Sequence, residues 1–244
     1  MFRSSFALLF GLMAFAAIAD DHAAQELQAT AYGQAYALEV SNPTGVVTAL
    51  TRYKASSSGM KFPGNILLNE VVADGESRTT HQINVFFPSA SAMDQMAPSS
   101  EPNADGLLMF STMQASAEPV GSFLFTMERG RGALSEPGNL TLLIALQVTD
   151  VPAFTKAFDR LWNSEAARDF PGGIYFGSFL ANGDDPATHW VSFVAQDMAT
   201  LTSGMDALQG SSAMAAYLGK AEDFRKVTRT TLARTLLALR ADSQ

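Results

Sequence analysis

The chain has 244 residues, with 24 acidic and 16 basic side chains, a formal net charge of −8 and no cysteine. The absence of cysteine excludes disulfides, thiol nucleophiles and thiolate metal sites. The acidic balance disfavours nucleic acid and anionic membrane as partners, because both need a basic face. The length suits one large domain or two small ones.

The first 19 residues predict a signal peptide. Arg3 precedes an apolar run from Phe6 to Ile18 that is short for a bilayer span, and Ala17-Ile18-Ala19 fits the small-x-small pattern before a cleavage site. The segment carries Arg3 and no acidic residue, so its removal gives a formal charge of −9. We expect residues 1–19 to be cleaved, residues 20–31 to form a leader, and the mature chain to be periplasmic or secreted, without membrane contact.

One stretch of twenty residues occurs twice. The segment FPGNILLNEVVADGESRTTH at residues 62–81 returns as FPGGIYFGSFLANGDDPATH at residues 170–189, with eight identities at a constant offset of 108 and no gap. Ordinary composition would give roughly one or two identities by chance. The pattern therefore predicts an internal duplication, and it indicates two halves of similar structure.

The first half predicts the order strand, helix, strand, strand, helix, strand. Its first helix begins at an N-cap followed by proline, Asn42-Pro43, and is expected to end at Phe62-Pro63-Gly64, since the residue before proline is pushed out of the helical region. The dipeptide Asp74-Gly75 predicts a hairpin turn. The expected strands are residues 36–40, 66–73, 81–87 and 121–128, and the second helix is expected in two pieces, residues 91–96 and 106–114.

The second half repeats these signals 108 residues later. Asp150 and Pro152 begin its first helix, Phe170-Pro171-Gly172 ends it, and Asn182-Gly183 predicts the hairpin turn. The last stretch is leucine-rich, yet its threonines favour a strand. The expected strands are residues 144–148, 174–181, 189–195 and 227–239, and the broken second helix is expected at residues 198–208 and 212–218.

Each half therefore predicts a ferredoxin-like βαββαβ unit, in which both helices cover one face of a four-stranded antiparallel sheet. The bare face of each sheet must be buried, and the other half offers a matching face. The predicted fold is α+β: two tandem repeats, residues 32–129 and 139–244, joined by a glycine-rich linker at residues 130–138, whose sheets pack into a pseudo-twofold barrel. A barrel completed within one chain favours a monomer.

The element order and the paired FPG, D/N-G and T-H landmarks resemble the dimeric α+β barrel superfamily in its fused, single-chain form. No active-site motif of a particular family is matched. The resemblance covers nearly all of the mature chain, and it implies a fold shared by cofactor-free antibiotic-biosynthesis monooxygenases, stress-responsive barrel proteins and chlorite-dismutase-like haem proteins. Because that diversity does not choose a function, whether this chain is an enzyme stays open.

Alternation along the strands at residues 81–87 and 189–195 separates two faces. The face with Ile83, Val85, Val191 and Phe193 is expected to pack under the helices. The mixed face is expected to line the barrel, and Leu67 against Tyr175 is a further difference between the halves. The tentative ligand-binding residues are Gln82, Asn84, Tyr175, Trp190 and Ser192, with Asn69, Glu70 and Ser178 as possible additions. A mostly apolar pocket with a few polar groups suits a small apolar ligand, while the competing interpretation is that these residues fill the interior.

Two histidines, His81 and His189, each follow a threonine at the same repeat position. Histidine can ligate metal or haem and can transfer protons, so both are weak metal candidates. Their recurrence and their helix-side face favour a structural role, hydrogen-bonded near the hairpin. Asp184-Asp185 is a weak calcium candidate whose residues are typical of a solvated turn. No metal or other cofactor is predicted.

The sequence leaves three hypotheses. The first is an exported barrel that binds a small apolar molecule between its sheets. The second is a cofactor-independent monooxygenase in which Trp190, Asn84 and Tyr175 orient an aromatic substrate. The third is a haem-binding barrel ligated through His189 or His81.

Overall fold

The computed structural model describes residues 30–95, 103–132 and 134–241. The predicted signal peptide and nearly all of the predicted leader lie outside the described residues. Within these ranges, no helix combines the length and the apolar character required to cross a membrane.

Strands and helices follow the predicted order through the first half. The first half and the short strand after it comprise β1 (Ala31–Val40), α1 (Pro43–Lys54), α2 (Ser57–Met60), β2 (Asn65–Ala73), β3 (His81–Phe87), α3 (Ala90–Asp94), α4 (Ala104–Gln114), β4 (Ala117–Met127) and β5 (Arg129–Arg131).

The second half has the same order with one further short helix. It comprises β6 (Leu140–Val148), α5 (Val151–Trp162), α6 (Glu165–Arg168), β7 (Gly173–Ala181), β8 (His189–Ala195), α7 (Met198–Gln209), α8 (Ser212–Leu218), α9 (Ala221–Phe224) and β9 (Arg225–Leu239).

Eight strands form a closed antiparallel barrel. The strand order is β4-β1-β3-β2-β9-β6-β8-β7, and β7 pairs back onto β4 through Leu124 with Ala181 and Phe125 with Phe179. The two halves therefore join edge to edge at two seams, β2 with β9 and β4 with β7. Closure removes the exposed sheet edges that would otherwise offer unpaired backbone groups. The prediction of an α+β fold with an antiparallel barrel is confirmed.

The helices lie outside the barrel, each set on its own half. In the first half Val46 and Leu50 of α1 pack against Ile83 and Val85 of β3. In the second half Phe154 and Phe158 of α5 belong to one buried cluster with Val191 and Phe193 of β8. The aliphatic and aromatic face of both strands thus packs under the helices, as its alternation predicts.

Both first helices end earlier than the sequence predicts. Instead of running to Phe-Pro-Gly, α1 stops at Lys54, and a new short helix starts because the Ser56 hydroxyl accepts a hydrogen bond from the Gly59 backbone N–H at 3.1 Å. Ser164 caps α6 in the same way through the Ala167 N–H at 3.3 Å. A capping serine does not interrupt the apolar periodicity of the surrounding sequence, so that periodicity alone did not reveal the break.

The connection between the halves carries regular structure. Within the predicted linker and just before it, Arg129–Arg131 form β5, which pairs with β7 opposite residues 174–176. The side chain of Arg131 lies over the indole ring of Trp162, with its guanidinium carbon 4.0 Å from the ring centroid. Arg129 forms a 2.6 Å ion pair with Asp159, which belongs to α5, as Trp162 does. The segment therefore attaches α5 to the barrel seam.

The final segment forms strand β9. Its leucines had made a helix the competing prediction. Its N-terminal part pairs with β6 and its C-terminal part pairs with β2, so one strand bridges both halves. The buried Thr235 hydroxyl donates a 2.9 Å hydrogen bond to the Asn69 side-chain oxygen on β2. Threonine fits a pleated surface with neighbours on both sides, which explains the strand.

Candidate functional site

A cavity of about 140 Å³ lies inside the barrel, and both halves contribute to its wall. The residues that surround it alternate along strands with those that pack under the helices. The lining side chains come from Asn65, Leu67, Asn69, Gln82, Asn84, Phe86, Phe123, Phe125, Met127, Leu134, Ser135, Thr141, Leu143, Tyr175, Phe179, Trp190, Ser192, Val194 and Arg240.

One wall of the cavity is aromatic. The Phe125 ring makes edge contacts with Phe86 at 5.6 Å and with Trp190 at 5.5 Å between ring centroids, and Phe123 makes an edge contact with Phe179 at 5.5 Å. Such geometries are favourable beyond the burial of area. Part of the barrel is thus filled by packed rings, and the cavity is the space that they leave.

Glycine provides the room for this packing. A Cβ atom at Gly33 would lie 2.2 Å from the Phe125 ring, so only a residue without a side chain allows that ring to lie against β1.

Strands β2 and β3 also bring carboxamides to the cavity, and Asn84 lies on the same face of β3 as Phe86. Asn69 is buried and its oxygen is occupied by Thr235, and the Asn65 oxygen accepts a 2.8 Å hydrogen bond from the Ala241 N–H. The side chains of Gln82 and Asn84, by contrast, make no hydrogen bond to another residue in the described parts of the chain. Each therefore presents a donor and an acceptor to whatever occupies the cavity.

The open side of the cavity lies near Leu134, whose side chain is exposed. The Tyr175 hydroxyl donates a 3.4 Å hydrogen bond to the Gly132 carbonyl there. Burial raises the pKa of Tyr175 to about 12, although the positive charge of Arg240 opposes the shift. Arg240 donates hydrogen bonds to the Ser135 carbonyl and, at 2.7 Å, to the Glu136 carboxylate. The tyrosine is therefore a neutral donor at ordinary pH, and the arginine is already paired.

The indole of Trp190 is a cavity-lining group with an unsatisfied donor. Its side chain is 5% exposed, and its Nε1–H has no hydrogen-bond partner among the described residues. A buried donor without a partner costs roughly 1–3 kcal/mol.

The five predicted ligand-binding residues, Gln82, Asn84, Tyr175, Trp190 and Ser192, all lie in the cavity wall. Asn69, one of the three possible additions, lies there too.

The other two additions do not line the cavity. The Ser178 hydroxyl donates a 2.5 Å hydrogen bond to Glu128, and Glu70 forms an exposed 3.5 Å ion pair with Arg234. Both side chains lie on the other face of their strands, and the sequence had left the choice of face ambiguous there.

The two histidines lie on the helix side of the sheets, away from the cavity. The Nδ1 atom of His81 is 3.0 Å from the Thr80 hydroxyl, and that of His189 is 2.8 Å from the Thr188 hydroxyl. Burial lowers the pKa of both imidazoles, with partial opposition from Glu70 at His81 and from Glu128 at His189. His189 also stacks on Phe176, with centroids 5.9 Å apart. These contacts fit the structural role expected of the pair.

The threonines beside them connect strands. The Thr80 hydroxyl accepts a 2.8 Å hydrogen bond from the Val40 N–H, and the Thr188 hydroxyl accepts a 3.0 Å hydrogen bond from the Val148 N–H. In each half, the threonine of the recurring Thr-His pair thus connects the hairpin to the first strand.

Asp185 stabilises the turn in which it lies. Its carboxylate accepts a 2.9 Å hydrogen bond from the Ala187 N–H and pairs with Arg229 at 3.3 Å. Across residues 30–95, 103–132 and 134–241, no group of three or more His, Asp or Glu side chains is arranged to hold a metal ion.

Several lining residues were missed by the sequence analysis. Phe123, Phe125 and Met127 alternate along β4, so the period-two pattern of that strand could have identified them. No local pattern could have identified Leu134, Ser135 and Arg240, because they reach the cavity through the connection between the halves and the end of β9.

Comparison with known proteins supports the fold and leaves the site unassigned. No family model matches the sequence, and no curated protein matches it significantly. Solved structures do match. An anthrone oxidase-like protein overlays with a TM-score of 0.59 at 11% identity, covering 90% of this chain and 97% of its own. A provisionally named monooxygenase from Fusobacterium nucleatum gives 0.57 at 13% identity, covering 86% and 93%.

A third match is a provisionally named monooxygenase from Lactobacillus acidophilus, with a TM-score of 0.55 at 11% identity, covering 87% of this chain and 99% of its own. These structures are α+β barrels, so the chain shares the barrel fold along nearly all of its described length. At such identities the likeness concerns the fold alone.

Proposed function

We propose that the barrel binds one small, uncharged molecule that is mostly apolar and carries a polar edge. The observation that carries this proposal is the cavity itself, which is lined by packed aromatic rings and by the unpaired amides of Gln82 and Asn84. Ligand sites in proteins are typically apolar with a few converging polar groups.

The volume limits the ligand. A cavity of about 150 Å³ lined by apolar side chains holds one benzene molecule, and the barrel cavity has about 140 Å³. The ligand is therefore a single ring or an equivalent short chain. A molecule of three fused rings would require the barrel wall to open.

The charge of the wall favours a neutral ligand. The ionisable groups among the lining residues are Tyr175, which burial keeps protonated, and Arg240, which Glu136 already neutralises. An ionised ligand would lose its hydration without gaining a free counter-charge. The amide groups of Gln82 and Asn84 each offer a donor, so we expect an oxygen on the ligand.

Fluorescence of Trp190 provides the test. The chain has two tryptophans, and the substitution Trp162→Phe leaves Trp190 as the reporter inside the barrel. Phenol is expected to produce a saturable change in its emission and to bind more tightly than toluene, which has the same shape but no hydroxyl. Ser192→Leu should fill the cavity and abolish the change.

Val191→Ile is the matched control, because Val191 is the neighbour of Ser192 on β8 and packs under the helices. The proposal fails if no single-ring probe gives a saturable change. It also fails if Ser192→Leu binds phenol as well as Val191→Ile does.

A second candidate function is a cofactor-independent monooxygenase. It is favoured by the names of the three matched structures and by the position of Trp190, Asn84 and Tyr175 around one cavity. In such a reaction a ring CH₂ becomes C=O, one atom of O₂ stays in the product and the other leaves as water. Against it, the lining residues include no carboxylate or imidazole that could remove the substrate proton.

Oxygen uptake separates binding from catalysis. Phenol and single-ring hydroquinones, whose keto tautomers carry the ring CH₂, would be incubated with the protein in air-saturated buffer free of added metal, and oxygen consumption would be followed. An enzyme would consume oxygen at a rate that falls at least tenfold in Asn84→Ala and in Trp190→Phe. With a pure binding protein, oxygen would be consumed no faster than in buffer alone, while the phenol-dependent fluorescence change would be retained.

The haem alternative does not fit the residues present. His81 and His189 lie on the helix side of the sheets, and the cavity is sized for one small ring.

We further infer that the two halves arose by duplication and that the mature chain is an exported monomer. The inference about duplication is supported by equivalent backbone hydrogen bonds at the 108-residue offset. Thr80 N–H donates to the Leu38 carbonyl at 2.9 Å, and Thr188 N–H donates to the Leu146 carbonyl at 2.8 Å. Export is tested by N-terminal sequencing of the mature protein, which should begin after Ala19, and the monomer by its mass in solution.

A further inference from the structure

A second cavity lies outside the barrel, between the helices and the sheet of the second half. Its volume is about 360 Å³, more than twice that of the barrel cavity. Phe158, Leu161 and Trp162 of α5 form one side, Val191 and Phe193 of β8 form another, and α7 and α8 close it.

The wall of this cavity belongs to the hydrophobic core. Leu208, Met214 and Tyr217 are buried, and they belong to the same buried cluster as Phe158 and Phe193. Protein interiors are normally packed so closely that voids larger than a water molecule are few. An apolar occupant of the cavity would gain contacts with these side chains.

The cavity opens to solvent beside a cation. Gln209 and Leu218 line it and are exposed, which marks the open side. Arg225, the first residue of β9, lines the cavity too, and its Nε–H donates a 3.2 Å hydrogen bond to the Tyr217 hydroxyl. In the described part of the chain, no carboxylate lies within ion-pair distance of its guanidinium.

The first half lacks this arrangement at the equivalent position. Ala117 opens β4 at the 108-residue offset from Arg225, and it is a buried member of the first core. The repeat thus replaces a small apolar residue with a cation at the wall of an apolar cavity. The guanidinium contacts the hydroxyl and the ring of Tyr217 but has no carboxylate partner among the described residues, so it is suited to pair with a carboxylate.

We propose that this cavity is a second binding site, which takes the apolar body of an amphipathic monocarboxylate whose carboxylate pairs with Arg225. On the scale by which about 150 Å³ holds the six carbons of benzene, 360 Å³ accommodates roughly ten to fourteen carbons. The ligand class is therefore a medium-chain fatty acid or a similar aliphatic acid. The site is separate from the barrel cavity and does not depend on the function proposed for it.

The test uses decanoate and 1-decanol as probes. The substitution Trp190→Phe leaves Trp162, which lines the second cavity, as the only tryptophan. Decanoate should change its fluorescence saturably, and Arg225→Met should weaken decanoate binding at least tenfold while leaving 1-decanol binding unchanged. Arg225→Lys, which keeps the charge, should retain much of the affinity for decanoate.

Two controls make the result specific. Lys226→Met removes the same charge at the next, exposed position of β9 and should leave decanoate affinity unchanged. Met205→Phe should reduce the binding of both probes by filling the cavity. The proposal is overturned if decanoate does not bind, or if Arg225→Met and Lys226→Met bind it equally.

Discussion

The indole ring of Trp190 on β8 stands edge-on to the phenyl ring of Phe125 on β4, with centroids 5.5 Å apart and ring planes at 88°. These residues belong to different halves of the chain, and both line the barrel cavity. The contact therefore ties the packing of the two sheets to the shape of the space between them. Disturbing it should change stability and cavity size together.

Phe125→Ala is expected to destabilise the protein by about 3–5 kcal/mol, since Phe125 is 5% exposed and its removal leaves a void against Trp190. Urea unfolding followed by circular dichroism measures the change. Phe110→Ala is the matched control, because that ring is 58% exposed and its loss should cost about 0.5 kcal/mol or less. Equal costs for the two variants would contradict the assignment of Phe125 to the barrel core.

Thr188→Val tests the role of the recurring Thr-His pair. The substitution keeps the shape of the side chain but removes the acceptor for the buried Val148 N–H, so the free energy of unfolding should fall by about 1–3 kcal/mol. Thr80→Val should cost less, since its hydrogen bond to the Val40 N–H is exposed to water. A larger loss for Thr80→Val than for Thr188→Val in urea unfolding would argue against this explanation.

Gly132→Ala and Gly138→Ala form a matched pair in the connection between the halves. Both glycines have positive φ, +82° and +96°, so each substitution should cost about 1–2 kcal/mol for the backbone conformation. A Cβ atom at Gly132 would in addition lie 1.9 Å from the Gly172 carbonyl oxygen, whereas nothing lies within 4 Å at Gly138. Thermal unfolding should therefore show a clearly lower midpoint for Gly132→Ala, and similar midpoints would contradict the close approach.

Tyr175 should make stability depend on pH under alkaline conditions. Its pKa is raised to about 12 by burial, so between pH 10 and 12 the folded state keeps a proton that the unfolded tyrosine loses. The free energy of unfolding should fall across that window, by up to about 3 kcal/mol, and should not depend on this group below pH 10. The difference between wild type and Tyr175→Phe isolates the effect, because the pKa values of Tyr36, Tyr53 and Tyr217 are raised as well.

The sequence by itself determined the order of strands and helices and the direction in which the strand side chains point. Alternation at β3 and β8 assigned Ile83 and Val191 to the helix side and Asn84 and Trp190 to the barrel, because a strand has an invariant two-residue period. Turn and cap signals also worked, since Asn42 and Asp150 accept hydrogen bonds from the Gly45 and Ala153 N–H groups as N-caps.

Only the tertiary structure decided how much of the barrel is filled and what surrounds the space that remains. Leu134 and Arg240 reach the cavity through chain connections that carry no local pattern, and the rings of Phe125 and Trp190 meet across a seam between halves. The larger void beside Arg225 is equally invisible in the sequence. Packing sets the volume of a cavity through contacts between distant residues, whereas periodicity reports only the face on which each residue lies.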